Sequence, residues 1–430
     1  MNSLKKMSPG RFIALGFATV ILLGAFILVL PVSHNEGVDV TFMDALFTST
    51  SAVCVTGLTA VDTYDTFNPF GQTVVALLIQ VGGLGVTSVG VGVMLLARRK
   101  VDLKDRVLVK EALNLDSMRG IVKLIRAILL MTLFFEGIGA ILSFIVFSKD
   151  YPLPRAIGTS IFHSIASFNN AGFDNLGGFK NLLDYKDNVL LNLTTCGLII
   201  FGGLGFVVIK EIIYKRSFKK LSLHAKVVIL MTIGLLVVGT ILLKLTEDIS
   251  WLGAFFFSTS ARTAGFSTFP VGNFTSASLF IIIILMYIGA SPGSTGGGIK
   301  TTTTFTLFKS AYAISTHKHC SAFKRKIPTE LQTKAFILAF LAMALICCNT
   351  LLLCILEPQF TFEQILFEVV SAFGTVGLST GITPDLNPIS EFIIILTMYI
   401  GRLGPLTIAS LWSVKPLSSL SYSEESLTIG

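Results

Sequence analysis

Four glycines, Gly57, Gly172, Gly265 and Gly377, stand 115, 93 and 112 residues apart, each in the same twelve-residue setting. A Phe opens the phrase ten residues before each Gly (Phe47, Phe162, Phe255, Phe367), and a small residue lies five before it (Ala52, Ser167, Ser260, Ala372). Leu or Phe follows it. The chemistry open to such a phrase is that of its backbone, because rings of carbonyl oxygens replace the hydration shell of a monovalent cation. No phrase has Asp or Glu at the Gly or the four positions before it, so a carboxylate ring for divalent ions is not indicated. The candidate binding residues are Val55, Thr56 and Gly57; Asn170, Ala171 and Gly172; Thr263, Ala264 and Gly265; and Thr375, Val376 and Gly377. Glycine suits such a place because it accepts positive φ and leaves a lumen unobstructed. Small residues also serve close helix packing in membranes. That alternative explains one Gly, but not four in register with a shared Phe.

The elements that must hold these phrases are apolar helices. Hydrophobic residues make up 52% of the chain and charged ones 13%, and the mean hydropathy is +0.78. This composition belongs to an all-α integral membrane protein. A crossing needs about 20 apolar residues, and eight stretches qualify: 12–30, 71–97, 127–147, 189–209, 227–243, 276–299, 335–356 and 392–414. The first is too long for a signal-peptide core and is followed by Pro31, so it is read as a spanning helix. Each phrase lies between two crossings. It is too short to span, so it enters as a half-helix and turns back on the same side through 53–57, 168–172, 261–265 or 373–377. Four repeats follow, 1–110, 111–220, 221–327 and 328–430, each a crossing, a re-entrant phrase and a crossing, in pseudo-fourfold arrangement around one pore. Backbone turning at that depth survives only in protein or beside water.

Charge orients the chain. The inter-repeat connections are basic (Arg98, Arg99, Lys100; Lys215, Arg216, Lys219, Lys220; Lys324, Arg325, Lys326), as is the amino end with Lys5, Lys6 and Arg11. Residues 31–65 carry Glu36, Asp39, Asp44, Asp62 and Asp65 and no Lys or Arg. Both termini and the basic connections are therefore expected in the cytoplasm. The net charge of +8 then reflects topology and no nucleic-acid partner, while the acidic outer face raises the local cation concentration. Four of the six cysteines (Cys196, Cys347, Cys348, Cys354) sit in apolar runs as small hydrophobes. His317, His319 and Cys320 form a solvated loop, not a metal site.

Glycine clusters begin 24 to 30 residues beyond each phrase Gly: 82–85, 202–205, 289–293 and 401–404. Clustered Gly at one depth fits a helix crossing or a hinge. In the third copy, Ser291, Pro292, Gly293, Gly296, Gly297 and Gly298 rule out a regular helix, and a mobile loop closing the pore is expected there. GSTGGGIKT at 293–301 departs from a phosphate-binding loop, since Ile299 intervenes before Lys300 and no strand precedes it. Arg402 is the charge within the last apolar run and is expected to face a cavity or a partner. The two readings are an electrostatic barrier in the pore and an ion pair with Glu136. Arg262 is expected to brace its phrase against an acid such as Asp174. The polar tail at 418–430 carries Glu424 and Glu425, and nothing in its residues names a partner.

With SARTAGF at 260–266 and TVGLSTG at 375–381, the fourfold phrase resembles the Trk/Ktr/HKT superfamily of potassium transporters, most closely its KtrB/KtrD membrane subunits. The resemblance covers nearly the whole chain. It implies a channel-like potassium-uptake protein of the cell membrane, not an enzyme, with K+ as the transported ion and Na+ as a further candidate. It also implies a homodimer in membrane lipid, an intramembrane gating loop, and a cytoplasmic ring of nucleotide-binding regulatory subunits. Gly in all four phrases is the potassium pattern of that family. No organic cofactor is expected in this chain. The competing class is a sodium- or proton-coupled carrier. Alternating access with inverted repeats fits poorly, because the four repeats share one topology.

Overall fold

A computed structural model describes residues 9–97, 101–113, 118 and 120–410. The basic residues Lys5, Lys6, Arg98, Arg99 and Lys100, the end of the last stretch and the tail at 418–430 lie outside the described residues.

The chain is mostly helical. Four helices are long and apolar enough to cross a membrane: Pro9–Leu28, Ile121–Phe147, Leu223–Thr246 and Thr329–Leu356. Each is followed by a shorter, more buried helix that carries the repeated phrase: Phe42–Val53, Leu153–Phe168, Trp251–Ser260 and Phe362–Gly374. Local signals start three of these: Thr41 and Thr361 form capping boxes with Asp44 and Gln364, and Ser250 accepts from Gly253 N–H. The long helix and its short neighbour are stitched together in the same way three times. Ser49 Oγ donates to Ile21 O (2.7 Å), Ser164 Oγ to Glu136 O (2.6 Å) and Ser258 Oγ to Leu236 O (2.9 Å). Three residues beyond each acceptor, Gly24, Gly139 and Gly239 leave room for those same hydroxyls.

This stitch corrects the register of the third phrase. Ser49 and Ser164 lie eight residues before their Gly, but Ser258 lies seven before Gly265. The counterpart of Phe47, Phe162 and Phe367 is therefore Phe256, which is fully buried, and not Phe255, which is only half-buried. The third return is one residue tighter than the others.

The second apolar stretches are not continuous helices. Pro69–Leu84 turns by 98° into Val86–Leu95, and Val189–Leu204 by 95° into Phe206–Lys215. With each bent pair counted as one span, the candidate crossings among the described residues number six. Ser276–Tyr287 ends before the irregular segment 288–300, and Pro388–Leu403 gives way at Gly404 to Pro405–Ser410. The breaks fall at Gly85, Gly205 and Gly404, with φ of +83°, +92° and +88°. That conformation ends a right-handed helix and suits only glycine.

Candidate ion site

The residues before each phrase Gly take the same backbone path. Val55, Asn170, Thr263 and Thr375 have φ of +51°, +57°, +75° and +48°, and Gly57, Gly172, Gly265 and Gly377 are also positive, while the residue between keeps an ordinary φ. The amides of three segments tie back to their own helix: Thr56 N to Ser51 O, Ala171 N to Ala166 O (both 2.8 Å) and Val376 N to Ser371 O (2.9 Å). In the tighter third segment the bond runs from Ala264 N to Ser260 O (2.9 Å). Gly57 N–H and Gly377 N–H donate to Ser51 Oγ (3.0 Å) and Ser371 Oγ (3.1 Å).

The four segments close into a ring. A Cβ on Gly57 would meet Ala171 O, one on Gly172 would meet Ala264 O at 2.7 Å, one on Gly265 would meet Val376 O, and one on Gly377 would meet Thr56 O. Among the described residues no hydrogen bond engages the carbonyl oxygens of Val55, Thr56, Asn170, Ala171, Thr263, Ala264, Thr375 or Val376. Buried backbone acceptors are normally paired. Eight unpartnered carbonyls in four adjoining segments are a set of acceptors suited to a hard, weakly charged ion.

Outside the ring lies a cavity of about 280 Å³, lined by the four glycines with Asp62, Asp174, Asn181, Ser379 and Thr383. Asp62 and Asp65 hold the second outer loop by accepting Phe179 N–H (2.7 Å) and Gly178 N–H (2.8 Å). Burial, with repulsion from Asp62 and Asp65, pushes the Asp174 carboxyl up to about 7 against the bond from Leu176 N–H.

Below the ring, segment 288–300 folds under it. Gly296 packs on Thr263 and Gly297 on Thr375, with no room for a Cβ at either. The helix break in the second quarter supplies the loop's partners: Ser291 N–H donates to Gly203 O (3.1 Å), Thr295 N–H to Gly202 O (3.2 Å), and Phe206 N–H to Gly293 O (3.0 Å). Pro292 and Gly298 complete the turn, and Lys300 Nζ donates to Gly296 O (2.7 Å) and Gly297 O (3.3 Å). Arg402 donates to Thr295 O and Gly82 O, and reaches Gly83 O at 3.4 Å.

Two ion pairs that the sequence left open, the alternative reading of Arg402 with Glu136 and a brace of Arg262 on Asp174, are not formed. Arg402 does not pair with Glu136, whose carboxylate instead accepts from Asn169 Nδ2 (3.0 Å), because the helix breaks expose carbonyls that a guanidinium satisfies directly. Arg262 makes no ion pair with Asp174: the acid faces the outer cavity, whereas Arg262 lies with Ile199, Ile200 and Gly203. Lys300, Thr295 and Glu368 were missed by sequence reasoning. Lys300 carries a charge amid Gly and Thr, and Glu368 stands directly after Phe367, so both signals were present. No group of three or more metal-ligating side chains occurs among the described residues, which include His317, His319 and Cys320.

Comparisons with known proteins agree with this architecture. The family described as "TrkH: Cation transport protein" matches residues 19–422. The potassium/sodium uptake protein NtpJ of Enterococcus hirae is 39% identical, over 99% of this chain and 98% of its own. The Ktr system potassium uptake protein B of Bacillus subtilis is 35% identical over 99% and 97%, and Ktr protein D of the same organism 34% over 99% and 98%. The crystal structure of the potassium transporter TrkH from Vibrio parahaemolyticus superposes with a TM-score of 0.75 at 17% identity, covering 95% of this chain and 86% of that one, a likeness of fold. The chain is a multi-pass membrane protein of the TrkH cation transport family, a family of transporters and not of enzymes.

Proposed function

We propose that the chain takes up potassium across the cell membrane, with the ring at 55–57, 170–172, 263–265 and 375–377 as its selectivity filter. The observation that carries this reading is the closed ring of unpartnered carbonyls, each segment locked to the next at its glycine. The names of the uptake relatives support a monovalent cation as cargo. A membrane potential supplies about 2.3 kcal/mol per charge per 100 mV, enough for accumulation without a chemical step. In this reading the four repeats form eight crossings and four re-entrant helices around one pore, with both termini cytoplasmic. Ser291, Pro292, Gly293, Gly296, Gly297 and Gly298 form the gate with Arg402. The working unit is a homodimer on a cytoplasmic nucleotide-binding regulatory ring, a partnership that the "Ktr system" names of two relatives favour.

The second reading is a sodium-coupled carrier, favoured by the potassium/sodium description of one relative. Labelled K+ and Na+ uptake into proteoliposomes under an imposed potential separates the two. The expected wild-type result is at least about tenfold preference for K+, equivalent to about 1.4 kcal/mol, lost in Gly377→Ser. Equal K+ and Na+ fluxes would refute the filter, and K+ uptake that requires a Na+ gradient would establish the carrier.

A further inference from the structure

The stitched register shows which side chain stands behind each filter segment one turn above the Ser51 and Ser371 anchors. These are Thr48, His163, Phe257 and Glu368, all buried. Glu368 is fully buried on the helix Phe362–Gly374 and has no cation beside it among the described ion pairs. A carboxyl group enclosed in that way is unfavourable unless its hydrogen bonds repay the desolvation, and Thr and Phe fill the same place elsewhere. Packing alone therefore does not account for it.

What Glu368 does is receive a directed chain of hydrogen bonds. Thr383 O–H donates to Glu368 Oε1. That uses the only proton of Thr383, so the 3.2 Å contact between Ser379 and Thr383 has Ser379 as donor. Ser379 Oγ in turn accepts Gly381 N–H at 2.9 Å. Ser379, Gly381 and Thr383 line the outer cavity beside Gly377. The helix thus fastens the fourth segment twice: Ser371 holds the Gly377 amide, and Glu368, one turn away, holds the rim that follows. The first segment has the lower anchor alone, since Thr48 Oγ1 reaches no partner.

We propose that Glu368 is a positioning residue for the filter: through Thr383 and Ser379 it fixes the rim after Gly377 and thereby the carbonyl spacing that separates K+ from Na+. This rests on the potassium-filter reading above. Chained donors polarise one another, so losing the terminal acceptor loosens the whole rim.

The test measures K+/Na+ flux ratio and half-saturation for K+ in proteoliposomes for wild type, Glu368→Gln, Glu368→Ala, Thr383→Val and Thr48→Ala. Glu368→Gln keeps an acceptor for Thr383 and should stay near wild type, as should Thr48→Ala. Glu368→Ala and Thr383→Val should each lower the ratio about tenfold, the scale of one net hydrogen bond. Should Glu368→Ala not assemble, Thr383→Val carries the same prediction. A wild-type protein without K+ preference would sink the filter reading itself. If wild type discriminates and both variants keep its ratio and half-saturation, losing only the amount of protein in the membrane, the positioning role is refuted.

Discussion

Arg402 directs its donors to backbone carbonyls, not to a carboxylate, and this changes what its removal should do. Its guanidinium joins Thr295 O, in the non-helical segment 288–300, to Gly82 O in the first quarter, which at the end of its helix also accepts Gly85 N–H (3.2 Å). Hydrogen bonds to a charged group contribute about 1.5–3 kcal/mol each. Arg402→Ala should therefore release the loop and raise K+ flux through the isolated subunit by about tenfold or more. Unchanged or lower flux in a proteoliposome assay would contradict a barrier at this place. At this scale the sequence located the charge and its depth. It left Glu136 as the alternative to a pore role because a carboxylate is the usual answer to a buried cation, and only the fold reveals that backbone carbonyls lie closer.

At the scale of elements, the glycine clusters turn out to have two separate duties. The first Gly of a cluster is a crossing point: Gly82, Gly202 and Gly401 lie against the carbonyls of Val53, Phe168 and Phe373 at the ends of the phrase helices. The last Gly is the break. Composition could name both duties but could not assign them, since a glycine's role depends on what packs against it. Gly205 combines positive φ with a Cβ position 2.7 Å from Pro292 O in the loop. Gly205→Ala should destabilise the protein by about 1–3 kcal/mol and displace the loop. Gly197, in the preceding helix, has open space around it, so Gly197→Ala should be neutral or stabilising by up to about 1 kcal/mol. Thermal unfolding in detergent checks the pair, and equal melting temperatures would refute the hinge.

At the scale of the whole molecule, the cavity over the ring is built from loops of different quarters, with Asp62 and Asp65 tying the first to the second. Asp174 faces the resulting cavity, where its field acts on an approaching cation. Above pH 7, where the Asp174 carboxyl is ionised, Asp174→Asn should slow K+ uptake at low K+ and low ionic strength. The deficit should shrink as salt is raised, because screening shortens to about 8 Å at physiological strength. Asp184 is exposed and paired with Lys180 at 3.7 Å, so Asp184→Asn should leave uptake unchanged. A salt-independent deficit in Asp174→Asn would point to a structural defect instead.

The sequence by itself determined the class and the four phrases, and it named the twelve residues of the proposed filter, because a backbone site needs only the right residue types at repeated spacing. It also placed the irregular segment in the third quarter, where Pro and Gly forbid a helix. Only the tertiary structure decided that Phe256 and not Phe255 is the third anchor, that Arg402 reads carbonyls, and that Glu368 holds the rim. Each of these depends on which groups from distant parts of the chain arrive within hydrogen-bond distance. Periodicity along one chain fixes what a segment can be, and the partners it meets fix what its polar atoms do.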